Sequence, residues 1–238
     1  MLFKTVFKRY VFKQSCLLCK SANGGDIAIC HDCEKDLPWH IQPHCPQCGL
    51  LSFNSQPCGH CLKSAPDFDA THALFTYDFP LNTLLQRYKY GSMLNLRHNF
   101  ADLMSENLLL SNIRVKNIEL IIPMPMHPQR LQERGFNQAL EIAKLVSNIL
   151  KIPLDYKSCM RNKLSPPQAS LPLKERVKNI RGVFSIKESH AHNLQGLKIA
   201  LIDDVMTSGA SLNELAKTIK KAGASHVECW VVARTLPK

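Results

Sequence analysis

The 238-residue sequence lacks the long apolar run that a membrane-spanning helix needs. None of its hydrophobic stretches approaches the roughly 18 consecutive apolar residues that are typical of such a helix. The N-terminal stretch MLFKTVFKRYVFK is basic, but it has neither a continuous apolar segment nor a small-residue cleavage site, which argues against a secretory signal. These two absences predict a cytoplasmic protein without a membrane span.

The sequence also lacks the common glycine-rich nucleotide-binding motifs and has few acidic residues. Neither G-x-x-x-x-G-K-[ST] nor G-x-G-x-x-G occurs, which argues against a nucleoside triphosphatase and against a dinucleotide-dependent enzyme. Only 19 Asp and Glu stand against 30 Lys and Arg, giving a formal net charge of +11. This excess favours a polyanionic partner, either nucleic acid or a phosphorylated small molecule.

Cysteine, in contrast, is concentrated near the N-terminus, where eight of the ten cysteines form four C-x-x-C pairs. Each pair presents two thiolates from a tight turn, and two pairs complete the tetrahedral Cys₄ site that Zn²⁺ prefers. A reducing cytosol favours zinc over a disulfide scaffold. We therefore predict two structural zinc ions in successive ribbons, although the spacing alone leaves an interleaved pairing open. The predicted ligands are Cys16, Cys19, Cys30 and Cys33 in the first ribbon and Cys45, Cys48, Cys58 and Cys61 in the second.

A polar stretch that contains proline, LKSAPDFDA, follows Cys61 and predicts a domain boundary near residue 65. Residues 1–65 would form the zinc-ribbon domain, with a short amphipathic helix over the first 13 residues, and residues 66–238 the second domain. There, strand patterns such as IELIIP and LKIALID alternate with helical patterns such as NQALEIAKLVSNILK, which Asn137 is expected to cap. This order predicts an α/β fold with a mainly parallel sheet.

Two adjacent carboxylates, Asp203 and Asp204, stand at the end of the LKIALID strand and before the turn TSGA. Open α/β sheets bind ligands at the carboxyl ends of their strands. Ser211 with Glu214 predicts a capping box, so the turn and the helix N-terminus would form a phosphate cradle. Carboxylates repel phosphate but accept hydrogen bonds from vicinal hydroxyls, so the segment predicts a site for a sugar 5-phosphate. The predicted phosphate ligands are Thr207, Ser208, Gly209, Ala210 and Ser211.

The motif LIDDVMTSGAS resembles the phosphoribosyl-pyrophosphate loop of type I phosphoribosyltransferases, and nearly the whole chain resembles the ComF family of competence-associated proteins. The second resemblance rests on the four C-x-x-C pairs, KYGS, IIPMPMHPQRLQERGFNQA, PPQASLPLKERVKNIRGVF and the Asp-Asp loop, in that order. It implies a type I phosphoribosyltransferase-like domain behind a double zinc ribbon. It also implies Asp203 and Asp204 as the catalytic acid pair on the ribose, the 5-phosphate on residues 207–211, and a role in natural transformation by imported DNA.

Basic residues outside this loop are candidate ligands for pyrophosphate or nucleic acid. Arg130 and Arg134 follow the IELII strand and so share a sheet edge with the acid pair, and the resemblance favours a role for Arg134. The basic segment 157–187 predicts a loop that closes over pyrophosphate, a groove for single-stranded DNA, or simply a solvated run of charge. The loop candidates are Lys174, Arg176 and Lys178, and the nucleic-acid candidates are Lys89, Arg176, Lys178 and Arg181.

Three functions agree with these residues. We favour a competence-associated protein that handles imported single-stranded DNA in the cytoplasm, has a phosphoribosyl-pyrophosphate pocket and works with other DNA-uptake proteins. The alternatives are an active Mg²⁺-dependent phosphoribosyltransferase, for which no nucleobase pocket is recognisable, and a sensor that binds phosphoribosyl pyrophosphate without turnover. Met1 is followed by Leu2 rather than by a catalytic cysteine, which argues against purine synthesis from glutamine.

Overall fold

The computed structural model describes residues 14–25, 27–90, 93–110, 115–164, 180–187, 189 and 194–237. The helix predicted over the first 13 residues lies outside the described residues. Lys174, Arg176 and Lys178 of the predicted loop also lie outside them. Of the predicted nucleic-acid contacts, the structure describes Lys89 and Arg181.

Six strands, seven α-helices and two short 3-10 helices (Phe53–Ser55 and Val115–Asn117) make up the regular secondary structure of the described ranges. The strands are β1 (Ala70–Thr76), β2 (Leu120–Pro123), β3 (Cys159–Arg161), β4 (Phe184–Ile186), β5 (Lys198–Met206) and β6 (His226–Arg234). The helices are α1 (His31–Lys35), α2 (Gly59–Lys63), α3 (Leu81–Lys89), α4 (Leu96–Leu110), α5 (Pro128–Arg134), α6 (Gln138–Leu150) and α7 (Ala210–Lys221). The predicted boundary near residue 65 falls between α2 and β1.

A four-stranded sheet in the order β1, β6, β5, β2 lies at the centre of the fold. All three neighbouring pairs are parallel. The strands are buried on both faces, which explains why β5 and β6 are apolar at most positions. This confirms the predicted α/β class with a mainly parallel sheet. The short strands β3 and β4 pair antiparallel in a separate two-stranded sheet.

Two hydrophobic layers cover the faces of the central sheet. On one face Ile202 and Trp230 pack with residues of α3, α4 and α6. On the other face Leu201 and Val231 pack with residues of α7 and of the β3–β4 pair. Because successive side chains of a strand point to opposite faces, the adjacent residues Asp203 and Asp204 point to different sides of the sheet.

The N-terminal cysteine-rich segment runs along β1, the edge strand of the sheet. The backbone of Thr76 donates to Pro38 O (2.7 Å), and that of Thr71 donates to Pro46 O (2.9 Å). Such contacts satisfy polar groups that an uncovered edge strand would expose. Among the described helices, none is long and apolar enough to cross a membrane.

Candidate functional site

The eight cysteines of the C-x-x-C pairs form two separate clusters, and the sulfur atoms within each lie within 4.8 Å of one another. The Sγ atoms of Cys19 and Cys30 are 3.6 Å apart, and those of Cys48 and Cys58 are 3.7 Å apart. Zn–S bonds of about 2.3 Å in a tetrahedron place the sulfurs roughly 3.8 Å apart, whereas a disulfide needs about 2.05 Å. Successive pairing is therefore confirmed. The clusters are Cys16, Cys19, Cys30 and Cys33, and Cys45, Cys48, Cys58 and Cys61.

In each cluster, a backbone hydrogen bond favours the thiolate form of the first sulfur. Cys30 N–H donates to Cys16 Sγ (3.4 Å), and Cys58 N–H donates to Cys45 Sγ (3.3 Å). Burial raises the pKa of the Cys16 thiol, but several such bonds outweigh it and lower this pKa to about 6. The same balance lowers the pKa of Cys45 to about 7. Since the thiolate is the form that binds metal, both clusters are compatible with structural zinc ions.

A cleft of about 540 Å³ opens beside the C-terminal ends of β2 and β5. Residues 207–211, named the phosphate loop from here on, contribute to its wall together with the acid pair. The predicted residues that line it are Lys89, Arg130, Arg134, Asp203, Asp204, Thr207, Gly209, Ala210 and Ser211. Ser208 is not among the lining residues, and its Oγ accepts a long hydrogen bond from Ala210 N–H (3.4 Å). Arg181 lies outside the cleft and is exposed.

Of the acid pair, Asp204 is buried and Asp203 is half-buried, and nearby positive charge compensates the two carboxylates unequally. Asp204 is 9% exposed, and its Oδ2 lies 3.3 Å from Lys89 Nζ. Asp203 Oδ1 accepts a hydrogen bond from Asp204 N–H (2.9 Å). Burial and then the charge of Asp204 raise the pKa of Asp203 to about 8, against the lowering effects of this N–H and of Lys89. In the free protein, Asp203 therefore holds its proton to a higher pH than an ordinary carboxyl group does.

The motif RGFNQ holds the wall of the cleft together around Gln138, which is 2% exposed. Gln138 Nε2 donates to Lys89 O (3.2 Å), and Gln138 Oε1 accepts from Arg134 Nη1 (3.0 Å). Tyr88 OH donates to Gln138 O (2.9 Å). Asn137 caps α6 as predicted, because its Oδ1 accepts from Leu140 N–H (3.3 Å). The motif therefore fixes the end of α3, from which Lys89 reaches Asp204.

The predicted capping box at the start of α7 is wrong. The helix begins at Ala210 after Gly209, which has a left-handed backbone (φ 78°) and no capping side chain. Ser211 lies in the first turn, and Glu214 Oε1 accepts from Gly182 N–H instead (2.7 Å). A cap formed by a serine side chain would have satisfied the first helical N–H groups. Apart from the long bond from Ala210 N–H to Ser208 Oγ, no capping side chain of the described residues takes these groups, so the positive end of the helix is open to an anion in the cleft.

Arg161 on β3 lines the cleft and was missed by the sequence analysis. Its guanidinium lies over the Phe184 ring at 5.6 Å from the centroid, and its buried Nε has no hydrogen-bond partner among the described residues. Burial and then the positive charge of Arg130 lower its pKa, whereas Asp203 raises it. Arg161 therefore adds a third arginine to the cationic wall. Nothing distinguished it in the sequence from the other basic residues of 157–187.

The fold and the two clusters together define a class of protein, a double zinc ribbon followed by a phosphoribosyltransferase-type α/β fold. The family "Double zinc ribbon domain" matches residues 7–62. The family "Phosphoribosyl transferase domain" matches residues 137–236.

Similarity to several known proteins extends over nearly the whole chain. Competence protein F of Haemophilus influenzae is 31% identical over 227 residues, which are 94% of this chain and 98% of that protein. The DNA utilization protein YhgH of Escherichia coli K12 is 29% identical over 93% of this chain and 97% of that protein. Competence protein ComFC of Streptococcus pneumoniae is 27% identical over 88% and 89%. The chain belongs to the ComF family of competence proteins.

Proposed function

We propose that this protein takes part in the use of imported DNA and that its cleft binds phosphoribosyl pyrophosphate. The first part is supported by the names of its relatives, competence protein and DNA utilization protein, and by similarity to them along almost the entire chain. The second part rests on the geometry of the cleft. The two parts are separable, and each has its own test below.

In the proposed complex, the 5-phosphate lies on the phosphate loop and the ribose hydroxyls donate to Asp203 and Asp204. The pyrophosphate faces Arg130, Arg134 and Arg161. The observation that carries this proposal is that an acid pair and an uncapped helix N-terminus line one cleft with a cationic wall. Its volume, about 540 Å³, is within the range of roughly 300 to 1,000 Å³ typical of small-molecule sites.

The donor set also fits Mg²⁺, which takes carboxylate and phosphate oxygens as ligands. Lys89 Nζ lies 3.3 Å from Asp204 Oδ2, whereas burial and then the charge of Asp204 raise the pKa of Asp203, so a nearby cation would favour its ionised form. We therefore assign Asp203 as the carboxylate that would hold Mg²⁺ together with the pyrophosphate oxygens. When bound, the ion would neutralise charge on the pyrophosphate.

Calorimetry with phosphoribosyl pyrophosphate and Mg²⁺ tests the pocket. We expect one site per chain, weakened at least about tenfold in Asp204→Asn, because a charged hydrogen-bond acceptor is lost. Lys144→Gln is the matched surface control, since Lys144 lies on α6 and pairs with Glu141 (2.7 Å). No binding by the wild-type protein would refute the pocket.

Single-stranded DNA is the proposed macromolecular ligand, with Lys89, Arg176, Lys178 and Arg181 as its candidate contacts. The excess of basic residues supports it, as does the exposure of Arg181. Lys89 pairs with Asp204 inside the cleft, so any contact it makes would lie at the cleft mouth. Affinity should fall steeply with salt because phosphate contacts release counterions. Binding that is absent or independent of salt would refute this part.

Turnover is the alternative function of the same cleft. An active phosphoribosyltransferase would release pyrophosphate with some nucleobase acceptor, and Asp203→Asn and Asp204→Asn would abolish the release. A sensor would bind phosphoribosyl pyrophosphate with no release at all. Pyrophosphate assays with each nucleobase separate the two, and calorimetry detects both.

A further inference from the structure

Arg234 connects the second cysteine cluster to the phosphate loop. It ends β6 and is 2% exposed, and it contacts Met206 and Thr207, which line the cleft. Its Nε donates to Cys48 O (2.7 Å), and its Nη1 donates to Met206 O (3.0 Å), Thr235 O (3.0 Å) and Thr207 O. One guanidinium therefore holds a carbonyl of the cluster and the carbonyls at the start of the phosphate loop.

The turn of the second cluster also packs tightly on this region. Thr71 Oγ1 donates to Gln47 O and lies 4.0 Å from Met206 Sδ. Gly49 has a positive φ of 68°, and a Cβ there would lie 3.2 Å from Thr71 Cγ2 and 3.6 Å from Arg234 Cδ. The absence of a side chain at Gly49 thus permits the close approach. A displacement of this turn would be transmitted to the residue that precedes the phosphate loop.

Arg234 is linked to the second cluster by charge as well as by hydrogen bonds and packing. The four oxygen atoms that accept hydrogen bonds from Arg234 in the described part of the chain are main-chain carbonyl oxygens, which carry no formal charge. A buried cation needs a counter-charge. A Cys₄ zinc centre has a net charge of about −2, because four thiolates exceed the charge of Zn²⁺. Burial lowers the pKa of Arg234 whereas the charges of Cys48 and Cys61 raise it, so an ordered, zinc-loaded second cluster would compensate the guanidinium and a disordered one would not.

The first cluster lies elsewhere. Cys16 and Ile29 belong to the hydrophobic layer that contains Phe100 of α4. The side chain of Asn99, also on α4, donates to Ile27 O. The first cluster thus packs on the helical layer and not on the phosphate loop. The two similar cysteine clusters therefore have different neighbours, and the first can serve as a control for the second.

We propose that Arg234 is a positioning residue that couples the second zinc centre to the phosphate loop. The shape of the loop, and with it the affinity for a ribose 5-phosphate, then depends on the second centre and not on the first. The affinity part rests on the proposed function of the cleft, whereas the dependence of the loop on Arg234 does not.

The test uses the zinc-loaded full chain and two readouts, amide hydrogen exchange in residues 205–211 and calorimetric binding of ribose 5-phosphate. In Arg234→Gln we expect faster exchange in this segment and an affinity about tenfold lower, the effect of losing a hydrogen bond from a charged donor. Arg97→Gln is the matched control, because Arg97 loses an ion pair with Glu141 on the helical side. It should leave exchange in 205–211 unchanged.

A second pair of variants tests the metal sites themselves. Cys30 and Cys58 hold equivalent positions, each preceding a short helix and donating its N–H to the first sulfur of its cluster. Cys58→Ser should accelerate exchange in 205–211, and Cys30→Ser should not. Gly49→Ala, which keeps Arg234 but crowds the turn, should act like Cys58→Ser.

The outcomes separate this coupling from the proposed function. If the wild-type protein does not bind ribose 5-phosphate, the proposed pocket fails, and the exchange comparison still decides the coupling. Unchanged exchange in 205–211 in a folded Arg234→Gln protein would overturn it. If Arg234→Gln does not fold, the other variants decide. Equal exchange in Gly49→Ala and the wild type would overturn the coupling, and so would equal acceleration of exchange in Cys30→Ser and Cys58→Ser.

Discussion

Ligand affinity should rise with pH through the titration of Asp203. Ribose hydroxyls and Mg²⁺ both need the ionised carboxylate, whereas burial and then the charge of Asp204 raise the pKa of this group to about 8 in the free protein. The free protein must therefore release a proton before it binds. The binding-competent fraction falls as the pH falls below the pKa, and the apparent dissociation constant rises in proportion.

The size of the effect follows from the raised pKa. With a pKa of about 8, Asp203 is ionised in about nine tenths of the molecules at about pH 9 and in about one tenth at about pH 7. Affinity for phosphoribosyl pyrophosphate should therefore drop about tenfold, or about 1.4 kcal/mol, across this interval. Calorimetry at about pH 7 in buffers of different ionisation enthalpy should show release of nearly one proton per ligand. This range avoids most of the titration of the sugar phosphate, whose second pKa is about 6.

Variants of the acid pair give the control. Asp203→Asn should bind weakly at every pH and release no proton from this site. Asp204→Asn removes the charge that raises the pKa of Asp203. The pH below which this variant loses affinity should therefore be lower than in the wild type. Affinity that is constant between about pH 7 and pH 9, or that rises as the pH falls, would refute the reasoning.

Three further predictions concern the metal sites, the phosphate loop and the stability of the sheet. Freshly purified protein should contain two zinc ions per chain, as the two cysteine clusters allow, and a content well below two would contradict the paired ribbons. Gly209→Ala should weaken phosphate binding and lower stability by roughly 1 kcal/mol more than Gly196→Ala does. Both glycines have a positive φ, but only at Gly209 would a Cβ lie 2.7 Å from Met206 Cε. Equal melting temperatures of the two variants would contradict this. Glu228→Gln should lose on the order of 2 kcal/mol of stability at neutral pH and much less near pH 2. The reason is that hydrogen bonds from His72 and Trp230 outweigh burial and lower the pKa of Glu228 to about 2. An equal loss at both pH values in thermal unfolding would contradict this prediction.

The cysteine clusters and the sheet could be predicted because their signals are local in the sequence. A C-x-x-C pair places two sulfurs on one turn whatever surrounds it, so Cys16 and Cys19 reveal their role without tertiary information. The burial of β5 and β6 on both faces leaves an apolar run in the sequence. The cap of α6 at Asn137 is a contact over three residues, which the sequence also reveals.

The remaining features depend on contacts between residues that are far apart in the chain. Glu214 fits a capping box by spacing, but its carboxylate is used by Gly182, so a tertiary contact overrides the local pattern. Arg161 reaches the cleft because β3 pairs with β4 beside the sheet. Arg234 contacts Cys48, which is 186 residues away. No spacing rule in a single sequence reveals such pairs.

The charges of the cleft distinguish its two proposed ligands. Asp204 is paired to Lys89, and the raised pKa of Asp203 favours its protonated form, so Arg134 and Arg161 give the wall of the free cleft positive charge. Such a cleft attracts both a phosphorylated sugar and a DNA strand. Only the sugar also brings the vicinal hydroxyls that ionise Asp203, because deoxyribose lacks the 2′-hydroxyl. Proton release should therefore accompany phosphoribosyl pyrophosphate and be absent with single-stranded DNA, even if both ligands compete for the same arginines.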